Sequence, residues 1–204
     1  MKRVFSRILR VLGIVLAAAV VVIGVWHLLG PVIYPDFYKN MEKVQTIPDL
    51  AEGFVPQGVT RIGDDGPLLI CGYMSGKSAS RVYVCGQDGI IRKILLTYAD
   101  GKTYTGHAGG LTAAGDYVYI SNASKLFVLD TKALLAAPDG SSLAFLGSFE
   151  VPCRSSFCSS DGENIYVGEY HAPGYDTRES HRVKTADGES YQAIVFAYPF
   201  NASE

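Results

Sequence analysis

The stretch GGLTAAGDYVYISNASKLFVLDTKA, residues 109–133, contains the pattern that decides the fold. Two glycines lead into a short strand, a Gly-Asp turn follows, and then the apolar run VYIS and the strand KLFVL come in order. Alternation of apolar and polar residues between turns rich in Gly, Asp and Asn is typical of short β-strands. The stretch therefore predicts a meander of short antiparallel strands.

The same order of elements occurs twice more along the chain. One copy is QGVTRIGDDGPLLICGYMSGKSASRVYVCGQDG at 57–89, and another is SSFCSSDGENIYVGEYH at 155–171, continued after an insertion by QAIVFAYPF at 192–200. Closing strands are expected at IIRKILLT, 90–97, and SLAFLGSFEV, 142–151. A repeat of about 40–50 residues with four short strands is typical of a β-propeller blade.

The sequence therefore predicts an all-β domain that is a partial β-propeller of about three four-stranded blades. The blades are expected at residues 54–100, 101–151 and 152–204, and the last one lacks its fourth strand. A four-stranded sheet cannot bury both faces alone, whereas sheets stacked around an axis bury them against one another. The alternative is a β-sandwich, but a sandwich does not require the same order of elements three times.

Three blades are fewer than the roughly four to eight that close a propeller ring. We therefore expect these residues to be the front part of a longer protein. The alternative is a homodimer that doubles the blade number and covers exposed strand edges. A linker is expected at residues 34–53, and within it KVQTIPD, 43–49, is expected to form a ring-closing strand.

The N-terminal part of the chain combines a basic segment with an apolar run. Residues 1–10 carry four basic side chains, and no Asp, Glu, Lys or Arg occurs from Val11 to Leu29. We predict a transmembrane signal-anchor helix over residues 11–33, since this run is about long enough to cross a bilayer. Basic flanks stay in the cytoplasm, so the C-terminal domain is expected outside it, anchored in the cell membrane by a single pass. The alternative is a cleaved signal peptide, which usually has a shorter apolar region and a small-x-small site.

Composition narrows the classes of partner. The chain has 204 residues and a net charge of −2, whereas a nucleic-acid-binding domain usually carries a basic patch. No nucleic-acid partner is therefore expected.

The four cysteines are candidates for disulfide bonds in an exported chain. The candidate pairs are Cys71 with Cys85, on neighbouring strands, and Cys153 with Cys158, at a strand entrance. The alternative is that each cysteine is a small buried apolar residue.

The predicted up-and-down strands place the candidate site at one mouth of the propeller. The connection into strand one of each blade lies on the same side as the connection between strands two and three. The entrances at 55–58, 106–110 and 153–156 therefore meet the insertion HAPGYDTRESHRVKTADGESY, 171–191. Long loops on a rigid scaffold commonly carry functional groups. The residues expected to bind a ligand there are Gln57, His107, His171, Glu179 and His181.

Each histidine also has a simpler interpretation. His107 is the candidate catalytic residue, as a general base or metal ligand, and the alternative is that it caps the turn made by Gly109 and Gly110. His171 and His181 are alternatively solvated loop residues. Together the three imidazoles could hold a divalent metal such as zinc or iron. No other cofactor is indicated.

The entrance motifs VPQG, 55–58, and GHAGGL, 106–111, set on this blade pattern, resemble exported bacterial β-propeller proteins. The similarity is to the six-bladed gluconolactonase, paraoxonase and strictosidine-synthase style and to membrane-anchored relatives, over about residues 54–200. It implies a calcium ion in the channel, held in part by a glutamate at the first blade entrance. Gln57 occupies the corresponding position here, and a neutral amide is a weaker calcium ligand than a carboxylate.

We therefore expect a membrane-anchored, extracytoplasmic β-propeller that binds a small molecule or a protein at its mouth. One alternative is a hydrolase or lactonase of the six-bladed type, with His107 as base or metal ligand. Another is a structural interaction domain of the cell envelope.

Overall fold

The computed structural model describes residues 2–175 and 177–200, so the last four positions of the predicted third blade lie outside the described residues. The chain divides into two compact units, Met1–Thr46 and Ile47–Glu204. Helices form the first unit, whereas the second consists mostly of strands, so the predicted all-β class of the C-terminal domain is confirmed.

The first unit contains α1, Lys2–Ile33, and α2, Pro35–Lys39. Helix α1 extends the predicted span of 11–33 backwards through the basic segment. Its part from Val11 to Ile33 is long and apolar enough to cross a membrane, and side chains from 11 to 25 are exposed. An apolar helical surface of this length is one that a bilayer can cover, because a helix satisfies its own backbone hydrogen bonds.

The predicted ring-closing strand at 43–49 is wrong. Residues 41–47 have no regular secondary structure, and the chain turns at 48–53 before the first strand begins. Asp49 has a φ of 53°, and its carbonyl oxygen accepts the Phe54 N–H at 3.0 Å. A left-handed residue cannot continue an extended strand, so the segment forms a turn at the start of the second unit.

The first four strands of the first sheet form an antiparallel meander, as the repeat pattern predicted. All five residues of its third strand are buried, because the sheet has an apolar cluster on each face. Its strands are β1, Phe54–Arg61, β2, Leu68–Met74, β3, Arg81–Cys85, and β4, Ile91–Thr97.

The second sheet has the order β5-β6-β7-β9. Between β7 and β9 the chain forms a short helix α3 that the sequence analysis did not predict, capped by the Asp130 side chain, which accepts the Ala133 N–H at 2.6 Å. The elements are β5, Gly110–Ala114, β6, Tyr117–Asn122, β7, Lys125–Asp130, α3, Thr131–Ala136, β8, Ser142–Ala144, and β9, Gly147–Glu150.

The single closing strand predicted at 142–151 is wrong, since it is divided between two sheets. Strand β8 pairs in parallel with β4 of the first sheet, while β9 closes the second sheet. The chain crosses from one sheet to the other at Phe145 and Leu146. The Phe145 N–H donates to the Thr97 carbonyl of the first sheet, and the Leu146 N–H donates to the Val128 carbonyl of the second. The Phe145 side chain is buried between the two sheets, and burying an aromatic ring of this size stabilises the crossing.

The third sheet contains three strands among the described residues, β10, Phe157–Ser160, β11, Asn164–Gly168, and β14, Val195–Pro199. The insertion before β14 carries a 3₁₀ turn, Glu179–His181, and a small hairpin. The hairpin consists of β12, Val183–Lys184, and β13, Ser190–Tyr191.

The three sheets are stacked in chain order through their first strands, with β5 between β1 and β10. A Cβ atom on Gly58 would lie 2.8 Å from the Gly110 Cα, and one on Gly110 would lie 3.0 Å from the Cys158 nitrogen. One apolar cluster lies between the first and second sheets and another between the second and third. The described sheets do not close on one another.

Equivalent serines connect each sheet to the next. The Ser80 N–H donates to the Tyr104 carbonyl at 2.9 Å, and the Ser80 carbonyl accepts the Leu96 N–H. The Ser124 N–H likewise donates to the Arg154 carbonyl at 3.3 Å, and its carbonyl accepts the N–H of Val151. Both serines thus bond their own fourth strand region and the entrance of the following sheet.

Candidate ligand-binding site

A cavity of about 670 Å³, here called the entrance cavity, opens where the first strands of the three sheets begin. This volume lies within the usual range of small-molecule sites. The entrance segments contribute side chains from all three sheets, and the connections between second and third strands complete the lining. The lining residues are Gln57, His107, Gly109, Asn122, Ala123, Arg154, Ser155, Ser156, Phe157, Tyr170 and Tyr175.

Two of the five residues predicted to bind a ligand meet at this cavity. Gln57 and His107 both line it and both are exposed. His171, Glu179 and His181 are not among its lining residues. The predicted mouth therefore brings the entrances together, but the histidines of the insertion lie elsewhere.

His107 is held by stacking. Its imidazole lies over the Tyr73 ring with centroids 4.6 Å apart and planes 25° from parallel. Within the described residues, its ring nitrogens have no hydrogen-bond partner, so the proposed capping of the Gly109 turn is not formed; the Gly109 N–H instead donates to the Ser121 carbonyl at 2.7 Å. A general base usually has a side chain that orients it, and His107 has none in the described part of the chain.

His181 is a buried structural residue. Its Nδ1 lies 2.8 Å from Oε1 of Glu169, and the two side chains are only 8% and 1% exposed. The other carboxylate oxygen of Glu169 accepts the backbone N–H of Arg154 at 3.4 Å. The interpretation of His181 as a solvated loop residue is therefore wrong, since it ties the insertion to the end of β11.

Glu169 was missed by the sequence analysis, although a signal for it exists. It directly follows Gly168, the last residue of the apolar strand β11. Its position in the third sheet is equivalent to that of Asn122, which follows Ser121 in the second sheet. An acidic residue at the buried end of an apolar strand requires a polar partner. The need of Glu169 for a polar partner, and not a sequence motif, is therefore the signal that could have predicted its pairing with a histidine of the insertion.

The remaining two predicted residues lie apart from the entrance cavity. His171 is partly buried, and its Nδ1 atom is buried without a hydrogen-bond partner in the described part of the chain. Glu179 is exposed in the 3₁₀ turn. Neither residue lines the entrance cavity, so their roles in ligand binding stay predictions.

The described side chains do not form a site that fits a divalent metal. Within residues 2–175 and 177–200, no group of three or more His, Cys, Asp or Glu side chains could hold a metal ion, so the trio His107, His171 and His181 does not converge. Calcium, which the family resemblance implies, takes about six to eight oxygen ligands that commonly include carboxylates. The described lining of the entrance cavity offers amides and hydroxyls but no carboxylate, and this donor set does not suit calcium.

Three aromatic rings and a guanidinium form one wall of the cavity. The Arg154 guanidinium carbon lies 4.3 Å from the centroid of the Tyr175 ring, a cation–π geometry. Tyr170 and Tyr175 have centroids 5.9 Å apart, and Phe157 completes the wall. The segments of Arg154 and Tyr175 were predicted at the mouth, but these two side chains were not among the predicted ligand-binding residues.

The backbone around the cavity is strained at three residues. Ala108, Ala123 and Ser155 have φ values of 48°, 50° and 44°, a region that non-glycine residues seldom adopt. Ser155 is held there by its Oγ, which donates to the Lys125 carbonyl and accepts the Lys125 N–H, both at 3.1 Å. Strained backbone that neighbouring bonds over-determine clusters at binding and catalytic sites.

All four cysteines are free, so neither candidate disulfide is present. Cys71 and Cys85 point to opposite faces of the first sheet and belong to different apolar clusters. Cys153 and Cys158 are buried together in the core between the second and third sheets. Burial raises the pKa of Cys71 and raises the pKa of Cys158 to about 12, so these thiols stay protonated near neutral pH and pack as small apolar side chains.

Comparisons with known proteins leave the function to be argued from this geometry. No protein-family model matches the chain, and no curated protein sequence matches it.

Proposed function

We propose that this chain is a membrane-anchored, ligand-binding β-propeller protein whose entrance cavity holds a small molecule. The observation that carries the proposal is the convergence of the entrance segments of all three sheets on a single cavity of about 670 Å³. Sites of this kind form where loops from several elements of a rigid scaffold meet.

The stacking of the sheets supports a propeller rather than a sandwich. In a sandwich, two sheets enclose one core, whereas here the second sheet has a core on each side. The close approach of Gly58 to Gly110, and of Gly110 to Cys158, supports an arrangement in which the first strands are innermost. The matching bonds of Ser80 and Ser124 repeat the same connection between successive sheets.

The chemistry of the cavity supports binding. Exposed rings of Phe157, Tyr170 and Tyr175 supply apolar area, while Gln57 and Arg154 supply polar groups that can orient a ligand. A mainly apolar lining with a few polar groups is typical of small-molecule sites. The hydrolase alternative has less support, because His107 has no orienting partner among the described residues and the donor set does not suit calcium.

The membrane anchor follows from α1. Its apolar part, Val11–Ile33, has the length and composition of a membrane-spanning helix. The four basic residues that precede it favour a cytoplasmic N-terminus, which puts Ile47–Glu204 on the opposite side. A cavity on that side would face ligands outside the cytoplasm.

The proposal is tested with the full chain in lipid nanodiscs and a set of small aromatic acids, alcohols and amines. Saturation-transfer NMR detects which fragments bind. We expect Tyr170→Ala to weaken their binding by about fivefold or more, since losing a buried aromatic contact costs about 1 kcal/mol or more.

Tyr191→Ala is the matched control. Tyr170 and Tyr191 are 58% and 59% exposed, Tyr170 directly precedes the insertion and Tyr191 ends it, but only Tyr170 lines the cavity. Binding that Tyr191→Ala leaves unchanged would support the site. A chain that binds none of the fragments, or one in which both variants bind as the wild type does, would contradict the proposal.

A further inference from the structure

We infer that the ligand of the entrance cavity is an organic carboxylate with a flat, apolar body. This inference rests on the proposed function, because it assigns a chemical class to the ligand of the same cavity. It depends on three features of the described lining: its charge, the state of Arg154 and the arrangement of the rings.

The charge of the lining favours an anion. Arg154 is the permanently charged side chain among the described residues that line the cavity, and no Asp or Glu accompanies it there. The other polar side chains of the lining are amides, hydroxyls and the His107 imidazole. A cationic ligand would meet Arg154 without a compensating carboxylate, whereas a monoanion would neutralise it.

The guanidinium of Arg154 is available to a ligand. Its side chain is exposed and makes no ion pair with any described residue, and its contact is the face of the Tyr175 ring. No side-chain hydrogen bond or ion pair to a described residue occupies its N–H groups, which can therefore donate to a bidentate acceptor. A carboxylate has the geometry that this planar fork binds.

Glu169 forms no ion pair with the Arg154 guanidinium, although both residues line a second, smaller cavity. Glu169 accepts the Arg154 backbone N–H, and its other oxygen bonds His181. The Glu169 side chain is 1% exposed and does not line the cavity. Its carboxylate is thus engaged beneath the entrance segment, while the Arg154 side chain points to the ring wall.

The ring wall favours a flat ligand body. Phe157, Tyr170 and Tyr175 are 41%, 58% and 43% exposed, which is unusual for three large rings in one place. Tyr170 and Tyr175 are inclined at 45° with centroids 5.9 Å apart, so the two exposed rings are not stacked face to face. A planar unsaturated ligand can stack on such faces and gain more than its area alone provides.

The inference is tested with three probes that differ in charge: 2-naphthoate, 2-naphthylmethanol and 2-naphthylmethylamine. Their dissociation constants are measured by NMR titration of the full chain in nanodiscs at low salt. We expect 2-naphthoate to bind about tenfold or more tighter than the other two, since a charge-assisted pair contributes about that factor. Arg154→Gln should remove this preference, and Arg154→Lys should restore only part of it, because lysine lacks the planar fork.

Arg61→Gln is the control, since Arg61 is an exposed arginine of β1 whose guanidinium donates to the Gly66 carbonyl away from the cavity. It should leave the preference for 2-naphthoate intact. Folding of the Arg154 variants is expected to be retained, because the bond from the Arg154 backbone N–H to Glu169 does not involve the substituted side chain.

The outcomes separate the inference from the function on which it rests. If the three probes bind equally and Tyr170→Ala weakens all of them, the cavity binds ligands but the carboxylate inference is overturned. If Arg154→Gln binds 2-naphthoate as tightly as the wild type, the inference is also overturned. If no probe binds at all, both the inference and the proposed function fail.

Discussion

Gly58, Gly109 and Gly110 lie where the first strands of the three sheets meet, and each faces atoms of a neighbouring sheet. A Cβ on Gly58 would be 2.8 Å from the Gly110 Cα, and one on Gly109 would be 2.6 Å from the Ser156 carbonyl oxygen. Both contacts are to backbone, which cannot move aside as the end of a side chain can. These glycines therefore set the distance between the sheets and, with it, the shape of the entrance cavity.

We expect Gly58→Ala to destabilise the fold. The added methyl group would force the β1 and β5 backbones apart, and overpacking of this kind costs about 1–3 kcal/mol. The free energy of unfolding, measured by urea titration of the full chain in detergent with near-UV circular dichroism, should fall by about 2 kcal/mol.

Gly147→Ala is the matched control for that measurement. Gly147 begins strand β9, and a Cβ there would have no atom within 4 Å. Replacing such a glycine reduces the entropy of the unfolded chain, so a change between zero and about 1 kcal/mol of added stability is expected. Equal destabilisation by the two substitutions would show that the sheets do not meet at Gly58.

The side chain of Asp49 attaches the turn at residues 48–53 to the first sheet by hydrogen bonds and ion pairs. The Tyr83 hydroxyl donates to Oδ2 of Asp49 at 2.5 Å, and Lys93 and Arg81 approach the same oxygen at 3.2 and 3.4 Å. These partners, first the Tyr83 hydrogen bond and then the two cations, lower the pKa of Asp49. A turn therefore precedes β1 where a strand was predicted at 43–49, and the Asp49 side chain bonds this turn to β3 and β4.

We expect Asp49→Asn to destabilise the protein at neutral pH by about 1–2 kcal/mol, since the variant loses hydrogen bonds to a charged group. The Asp49 pKa is lower in the folded state than in the unfolded state, so its contribution is present above the unfolded value of about 3.9. That contribution is lost as the pH falls through the folded pKa. The stability difference between wild type and variant should therefore shrink below about pH 4.

Urea titrations from pH 7 to pH 2.5 measure this difference. Asp64→Asn is the control, because Asp64 is an exposed turn residue with no described bond or ion pair. Its curve should follow that of the wild type throughout. A difference for Asp49→Asn that stays constant down to pH 2.5 would contradict the assigned role of the Asp49 carboxylate.

For the whole molecule, the two compact units have different surfaces. The first contains an apolar helical span, Val11–Ile33, whose side chains from 11 to 25 are exposed, and the second has apolar cores between its sheets. The proposed membrane attachment and the proposed ligand binding therefore belong to separate parts of the chain. The homodimer with a doubled blade number stays a prediction.

We expect the paired substitution of Leu16 and Val20 by arginine to release the chain from membranes. Each arginine near the centre of a span costs about 2.5–3.5 kcal/mol on insertion scales. Carbonate extraction of membranes followed by sedimentation measures the change, and exchange of the two side chains, Leu16→Val with Val20→Leu, is the control. An arginine variant that stays in the pellet would contradict anchoring by α1.

Much of the architecture is predictable because it follows from local periodicity. The turn-strand order of 109–133, the four antiparallel strands of the first sheet and the apolar helix all depend on residues close in sequence. The meeting of Gln57 and His107 was also accessible, since strand direction alone puts their segments on one side. The division of 142–151 was not, because the choice of β8 between two sheets depends on the burial of Phe145 between them.

The amino-acid sequence by itself determined most of the antiparallel strands, the segment that is apolar enough to span a bilayer, and the entrance segments that share one cavity. Only the tertiary structure decided that His181 bonds the buried Glu169, that Arg154 lies over the Tyr175 ring, and that the four cysteines are free thiols. The physical reason is that strand formation follows the alternation of neighbouring residues, whereas these side-chain pairs join residues 12 to 21 positions apart whose meeting depends on how the whole insertion folds onto the third sheet.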